Sequence, residues 1–316
     1  MRQLVAIVGP TATGKTALGL HLARRFQGEV VNADSRQVYR HMDIGTAKPT
    51  RQEQAQVPHH LLDVVDPDEP FSLGQWLELA RAALADIWAR GKIPFLVGGT
   101  GQYVWALLEG WTVPKVPPQH QWREEMAAWA AQHGPQALHR ELALRDPEAA
   151  RLIDPRNVRR VIRALEVIHS TGSPFSQLRR KEGPGFSYLC IGLWLPREEL
   201  YRRIDQRVDQ MIASGLVDEV RRLLAMGYSC RLPSMSGIGY KEICRHLAGE
   251  MDLATAVVRI KWETHRLVRH QENWFRRTDP RIHWLRADDP NLFEKAEELV
   301  AAFLLGTKEA IGPCAS

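Results

Sequence analysis

The chain has 316 residues and a mass of 35.9 kDa, room for about two domain-sized units. Hydrophobic residues make up 44% and charged residues 25%, ordinary globular usage that excludes a disordered or fibrous protein. No apolar run approaches the ~18 residues of a membrane span and the amino terminus does not read as a signal peptide, so a cytoplasmic protein is expected and secreted and membrane classes are set aside. A chain this long buries about three quarters of its unfolded surface, so it needs no staple. Its four cysteines (Cys190, Cys230, Cys244, Cys314) contain no C-x-x-C pair, and neither a disulfide framework nor a zinc ribbon is expected. The net charge of +5 is unevenly spread. The stretch from Arg259 to Arg286 holds eight basic and three acidic residues, and Arg151 to Arg163 holds five arginines and one aspartate. Arginines among aromatics such as Trp262, Trp274 and Phe275 suit a polyanion with bases to stack on, although a solvated helix face accounts equally well for either cluster alone.

Over the first hundred residues short β-branched runs alternate with helical periodicity, the pattern of parallel βαβ units. Leu4 to Val8 reads as a buried strand, Thr16 to Phe26 as a helix, and Val30-Val31 and His60 to Val65 as further strands. Ser72 and Gln75 form a capping box ahead of apolar residues at helical spacing, and Gly91 marks that helix's end. Ile93 to Val97 is a buried strand running into Gly98-Gly99-Thr100-Gly101. Pro114, Pro117 and Pro118 then mark a boundary, and residues 116–186 read as a helical insertion in a discontinuous core formed by 1–115 and 187–316. Tyr188 to Leu195 rejoins the sheet. Helices follow near 197–214, 216–226, 236–248 and 252–277, then a strand at Ile282 to Leu285 and a last helix near 291–304.

The sharpest local pattern is Gly9-Pro10-Thr11-Ala12-Thr13-Gly14-Lys15-Thr16, a full G-x-x-x-x-G-K-[ST] loop set between a strand and a helix. Backbone N–H groups of such a loop, with the helix dipole, cradle phosphate oxygens. Lys15 supplies a mobile charge for the terminal phosphate, and the Thr16 hydroxyl can ligate Mg²⁺. The chain is therefore expected to bind a phosphorylated ligand. Asp34 follows Val30-Val31 and should reach the carboxyl edge of the sheet beside that loop, as a metal ligand, a base or a simple turn residue. Thr100, in a glycine turn at the same edge, could meet the reacting groups.

Several longer blocks share one resemblance. GPTATGKT (9–16), NADSRQVY (32–39), DIGTAKP (43–49), PHHLLD (58–63), VGGTGQY (97–103), DPRNVRRVIRALEV (154–167), RVDQMIASGLVDEV (207–220) and GIGYKE (237–242) resemble, in family order, the bacterial tRNA dimethylallyltransferases, also called tRNA isopentenyltransferases of the IPP transferase family. The resemblance covers residues 4 to about 285. It implies an α/β fold with a P-loop NTPase-like parallel sheet core and a tRNA-binding helical insertion. It implies transfer of a dimethylallyl group from dimethylallyl diphosphate to N6 of adenosine 37 of tRNA, beside the anticodon, with release of diphosphate. The phosphate loop, Gly9 to Thr16, then holds a prenyl diphosphate with Mg²⁺ on Thr16, and Lys15, Asp34, Thr100 and Arg207 carry the chemistry. By the same resemblance Asp34, Ser35, Arg36, Gln37, Thr100, Arg123 and the stretch Val158, Arg159, Arg160, Val161, Ile162 touch the tRNA. A cytoplasmic monomer is expected. Arg159-Arg160 departs from the Gln-Arg common among relatives, which replaces a base-reading amide with a phosphate contact.

Other readings fit less of the chain. A small-molecule kinase or ATPase uses the same loop but leaves NADSRQVY and the basic insertion unexplained. An enzyme prenylating free adenine nucleotides has little use for that insertion, and a non-enzymatic RNA-binding module has none for Lys15, Thr16 and Asp34. His59-His60 are not expected to share a metal, because neighbours on a strand face opposite ways. Trp262, Trp274 and Trp284 are expected in the core.

Overall fold

A computed structural model describes residues 2–306 except 115 and 179. The chain divides into two compact units, Met1–Leu108 with Gly185–Ser316, and Glu109–Pro184.

The first unit begins with β1 (Gln3–Val8), α1 (Lys15–Arg25), β2 (Glu29–Asn32), α2 (Arg51–Gln56), β3 (His59–His60), α3 (Leu73–Ala89), β4 (Pro94–Val97) and α4 (Gly101–Leu108). The second holds α5 (His120–His133), α6 (Pro135–Arg145), α7 (Pro147–Leu152), α8 (Val158–Thr171) and α9 (Phe175–Leu178). The first then resumes with β5 (Ser187–Trp194), α10 (Arg197–Ala213), α11 (Leu216–Ala225), α12 (Tyr240–Leu247), α13 (Leu253–Trp274), β6 (Ile282–Arg286) and α14 (Leu292–Leu305).

The six strands form one parallel sheet in the order β3-β2-β4-β1-β5-β6. Its central strands are apolar on both faces, as a parallel sheet covered by helices requires. Val5, Ile7, Leu189, Ile191 and Leu193 pack with Leu18 and Leu22 of α1 and Val300 and Phe303 of α14. β5, distant in sequence, lies beside β1 over six residue pairs from Gln3↔Ser187 to Val8↔Gly192. The carboxyl ends of β1, β2 and β4 thus open on the same edge. The Ser72–Gln75 capping box forms as expected at the start of α3.

Three expectations are corrected. The strand expected at His60 to Val65 stops at His60, because Leu61 and Asp63 take left-handed backbone conformations; Val65 makes only an isolated bridge to Tyr39. Trp262 is 76% exposed and Trp274 42% exposed, so neither is a core side chain. Cys230 and Cys244 form a disulfide, with Cα atoms 6.0 Å apart. It closes the turn between α11 and α12, a tertiary approach that no local cysteine spacing announces. Cys190 is a buried free thiol, and Cys314 lies outside the described residues.

The second unit has its own core of Leu138, Leu142, Val161 and Leu165. Buried Glu166 accepts from the Gln119 backbone N–H and from Arg123 and Arg163. Burial alone would raise its pKa, but these donors hold the carboxyl down at about 2. Trp111 pairs with Lys181 and Thr112 N–H donates to Arg180, so the chain enters and leaves this unit side by side.

Candidate active site

β1 delivers the chain into the phosphate loop at Gly9, whose φ of +134° is a glycine conformation; a Cβ there would overlap the Leu193 carbonyl of β5. Gly14, left-handed, caps α1, and the first N–H groups of that helix lack intrahelical partners. Thr13 Oγ1 donates to the Pro10 carbonyl at 2.8 Å and Lys15 Nζ to the same oxygen at 2.6 Å, closing the loop on itself. Gly14, Lys15, Thr16 and Ala17 line a cavity of about 290 Å³ with Asn32, Asp34 and Arg207.

The end of β2 places Asp34. Asn32 Oδ1 accepts from Asp34 N–H at 3.0 Å, and Asn32 Nδ2 donates to the carbonyls of Asp34 and Leu61. Asp34 Oδ1 in turn accepts from Arg36 N–H at 2.8 Å. The turn reading of Asp34 is thus correct for one carboxylate oxygen, while the residue also lines the cavity. Arg207, from α10, lies in the same wall. Burial, reinforced by the nearby Arg207 and opposed by Asp34, pushes the Lys15 ammonium down to about 7. The Arg207 guanidinium is lowered by burial and raised by Asp34. Two cations and one carboxylate in so confined a space are an incomplete set, which a multiply charged anion completes.

The end of β4 supplies the turn with Thr100. Its Oγ1 accepts from Ser35 N–H at 3.0 Å and lies 3.3 Å from Ser35 Oγ. The three glycines around it are packing requirements. A Cβ at Gly98 would overlap the Ala33 backbone, one at Gly99 the Gln271 amide, and one at Gly101 the Trp274 side chain.

A second cavity, about 420 Å³, shares Thr11, Asp34, Thr46, Gly99 and Arg207 with the first. Its walls are largely apolar: Ile204, Val208 and Met211 of α10 and Ile260, Leu267 and Trp274 of α13, with Ile238. A polar phosphate pocket therefore opens into an apolar chamber with Asp34 and Arg207 on the shared wall.

Lys15, Thr16, Asp34, Ser35, Arg36, Thr100 and Arg207 all border one or both cavities. Arg36 also spends its guanidinium on the Pro233 and Ser234 carbonyls, and Gln37 donates to the Thr46 and Ala47 carbonyls. Arg123 lies in the helical unit, paired with Glu166. Arg159 and Arg160 are exposed there, whereas Val161 and Ile162 are buried in that unit's core and cannot offer their side chains to a ligand. Of the basic stretch from 259 to 286, Lys261, Arg266, Arg281 and Arg286 pair with acids, and Arg277 sits 3.6 Å over the Trp194 ring. His59 and His60 bond separately, to the Val57 carbonyl and to Glu29.

Sequence reasoning missed the supports. Buried Glu219 accepts from the N–H groups of Asp43, Ile44 and Gly45 and from the Tyr240 hydroxyl. Lys48 Nζ bonds the Tyr39 carbonyl, Asp43 and Asp63. Gln271 was also missed, although Thr264 and Gln271 interrupt an apolar stripe, Ile260-Leu267-Trp274, on one face of α13. That interruption is a readable signal.

The parallel sheet and the loop between β1 and α1 define the P-loop NTPase-like class, here with an apolar chamber attached to the phosphate pocket. The sequence profile of the IPP transferase family matches residues 37–278, and that of isopentenyl transferase matches residues 2–63. The tRNA dimethylallyltransferase of Roseiflexus castenholzii is 56% identical over 300 residues, covering 95% of this chain and 98% of that one. The full-length tRNA isopentenylpyrophosphate transferase of Bacillus halodurans superposes with a TM-score of 0.73 at 41% identity, covering 98% and 99% of the two chains. A eukaryotic dimethylallyltransferase acting on tRNA gives a TM-score of 0.80 at 28% identity, covering 100% of this chain and 81% of its own. The chain belongs to the IPP transferase family.

Proposed function

We propose that this enzyme transfers the dimethylallyl group of dimethylallyl diphosphate to N6 of adenosine 37 of tRNA, giving N6-(dimethylallyl)adenosine and diphosphate. The observation that carries the reading is the pair of joined cavities, one a phosphate cradle and the other apolar, with Asp34, Arg207 and Thr11 on their common wall. The diphosphate sits against the N–H groups of the loop, Gly9 to Thr16, and Lys15. The prenyl tail and the flipped adenine share the apolar chamber, since the amine must leave its stacked loop to reach the allylic carbon.

As the N6–C1 bond forms, the C1–O bond breaks and its electron pair leaves with diphosphate. Lys15 and Arg207 stabilise the charge growing on that oxygen, where fixed charges act most strongly. The N6 proton passes to the free oxygen of Asp34, whose other oxygen is held by Arg36 N–H. Thr100 aligns the amine side from its bond to Ser35 N–H.

Among the described residues no three His, Cys, Asp or Glu side chains cluster as a metal site. The Thr16 hydroxyl in the phosphate pocket suits Mg²⁺, an ion usually held by one or two protein oxygens together with substrate phosphates and water. When bound, the ion would neutralise diphosphate charge. Ser35, Arg36 and Gln37 on the core unit, and Arg123 with Val158, Arg159 and Arg160 of the helical unit, contact the tRNA. Among the described residues no helix is long and apolar enough to cross a membrane, and the enzyme acts as a cytoplasmic monomer.

The test incubates the protein with unmodified tRNA, Mg²⁺ and dimethylallyl diphosphate and seeks prenylated adenosine by mass spectrometry. Asp34→Ala should abolish turnover while tRNA still binds. ATP consumption without prenylation would assign the loop to a nucleotide and overturn the reading.

A further inference from the structure

Gln271 is a buried polar side chain on α13 whose amide is used at both ends. Its Oε1 accepts from Thr11 N–H of the phosphate loop at 2.9 Å, and its Nε2 donates to the Gly99 carbonyl at 3.1 Å. These two loops carry opposite halves of the proposed reaction. The phosphate loop holds the leaving group. The glycine turn presents Thr100, which bonds Ser35 N–H beside Asp34. Gly99 carries no side chain because the Gln271 amide occupies the space. A carboxamide offers an acceptor and a donor at one end in a fixed plane, which an ionised carboxylate or an apolar side chain does not, so this bridge has a chemical requirement beyond volume.

We infer that Gln271 is a positioning residue for prenyl transfer: it pins the leaving-group cradle against the turn that aligns the amine. This rests on the reading above. Its consequence is selective. Diphosphate affinity comes from Lys15, Arg207 and the loop N–H groups, all of which survive loss of the amide. Alignment between the two halves does not, and a misplacement near 1 Å costs about 100-fold in rate.

The experiment measures steady-state prenylation for wild type, Gln271→Leu and Gln271→Glu, with thermal melting of each protein. Gln271→Leu should lose about 10- to 100-fold in kcat with KM for dimethylallyl diphosphate changed less than about threefold. Gln271→Glu keeps an acceptor for Thr11 N–H, but its ionised form sets an oxygen against the Gly99 carbonyl. Its kcat relative to wild type should therefore rise as pH falls and the protonated acid recovers the donor. A packing role alone would not produce that pH-dependent rescue. A kcat for Gln271→Leu within twofold of wild type, a loss confined to KM, or a Glu-to-wild-type ratio flat with pH would each overturn the inference. If Gln271→Leu does not fold, the Gln271→Glu profile decides. Wild-type protein that prenylates no tRNA would instead remove the functional reading itself.

Discussion

Lys15 shows how a binding site stores an unfavourable state until its ligand arrives. Its ammonium is held at about 7 by burial and by Arg207, with Asp34 opposing. A lysine lowered on folding weakens the fold below its folded pKa. Stability then recovers as pH rises from about 7 toward 10.5, because over that window the unfolded chain binds the extra proton. Diphosphate bound there as proposed would restore the charge. At pH 8, therefore, its binding should take up about one proton, and less at pH 6, where Lys15 is already charged. Calorimetry in two buffers of different ionisation enthalpy measures this directly. Uptake that is absent at pH 8, or unchanged in Lys15→Met, would separate Lys15 from the anion.

Among the structural elements, the connections rather than the strands and helices shape the chamber. The loop at 43–49 has almost no regular structure, yet three consecutive N–H groups converge on the Glu219 carboxylate from α11, and Tyr240 at the start of α12 donates to it as well. This is an anion nest filled by the protein's own carboxylate. Gly45, Thr46 and Tyr240 all line the apolar chamber, so one buried charge holds two of its walls. Glu219→Gln offers one acceptor oxygen and an NH₂ group where four donors point. It should cost about 3–5 kcal/mol in denaturant unfolding and raise KM for the prenyl substrate. A variant of wild-type stability would show that the loop finds its own partners.

At the scale of the whole molecule, two units with separate cores follow from one discontinuous chain. The first and last segments of the helical unit run side by side, Trp111 bridging Lys181, Thr112 N–H donating to the Arg180 carbonyl and Glu182 N–H to the Gly110 carbonyl, so a short linker can replace the unit. Replacing 109–184 by a short Gly/Ser linker should leave diphosphate binding by the core intact while tRNA prenylation falls by roughly an order of magnitude or more, as RNA phosphate contacts are lost. Filter binding with diphosphate and with tRNA separates the two effects. Undiminished tRNA turnover would take the helical unit out of RNA recognition.

The sequence by itself determined whatever local patterning encodes. The phosphate loop could be read because its glycines and Lys15 must lie within eight residues between a strand and a helix. The parallel sheet could be read because strands buried on both faces are continuously apolar, and the capped α3 because Ser72 and Gln75 meet within one turn. Asp34 and Thr100 could be placed because carboxyl ends of parallel strands share one edge. The tertiary structure alone decided the rest. Gln271 lies far along the chain from Thr11 and Gly99, and Glu219 equally far from Asp43, so no spacing rule connects them. Cys230 and Cys244 meet only because a turn folds back. Trp262 and Trp274 are exposed because helical periodicity gives a face but not what covers it. His60 ends its strand because left-handed Leu61 and Asp63 leave the sheet toward Lys48, whose ammonium ties Asp63 to Asp43. Such side-chain bridges are long-range choices, made when the folded chain satisfies polar groups that it has removed from water.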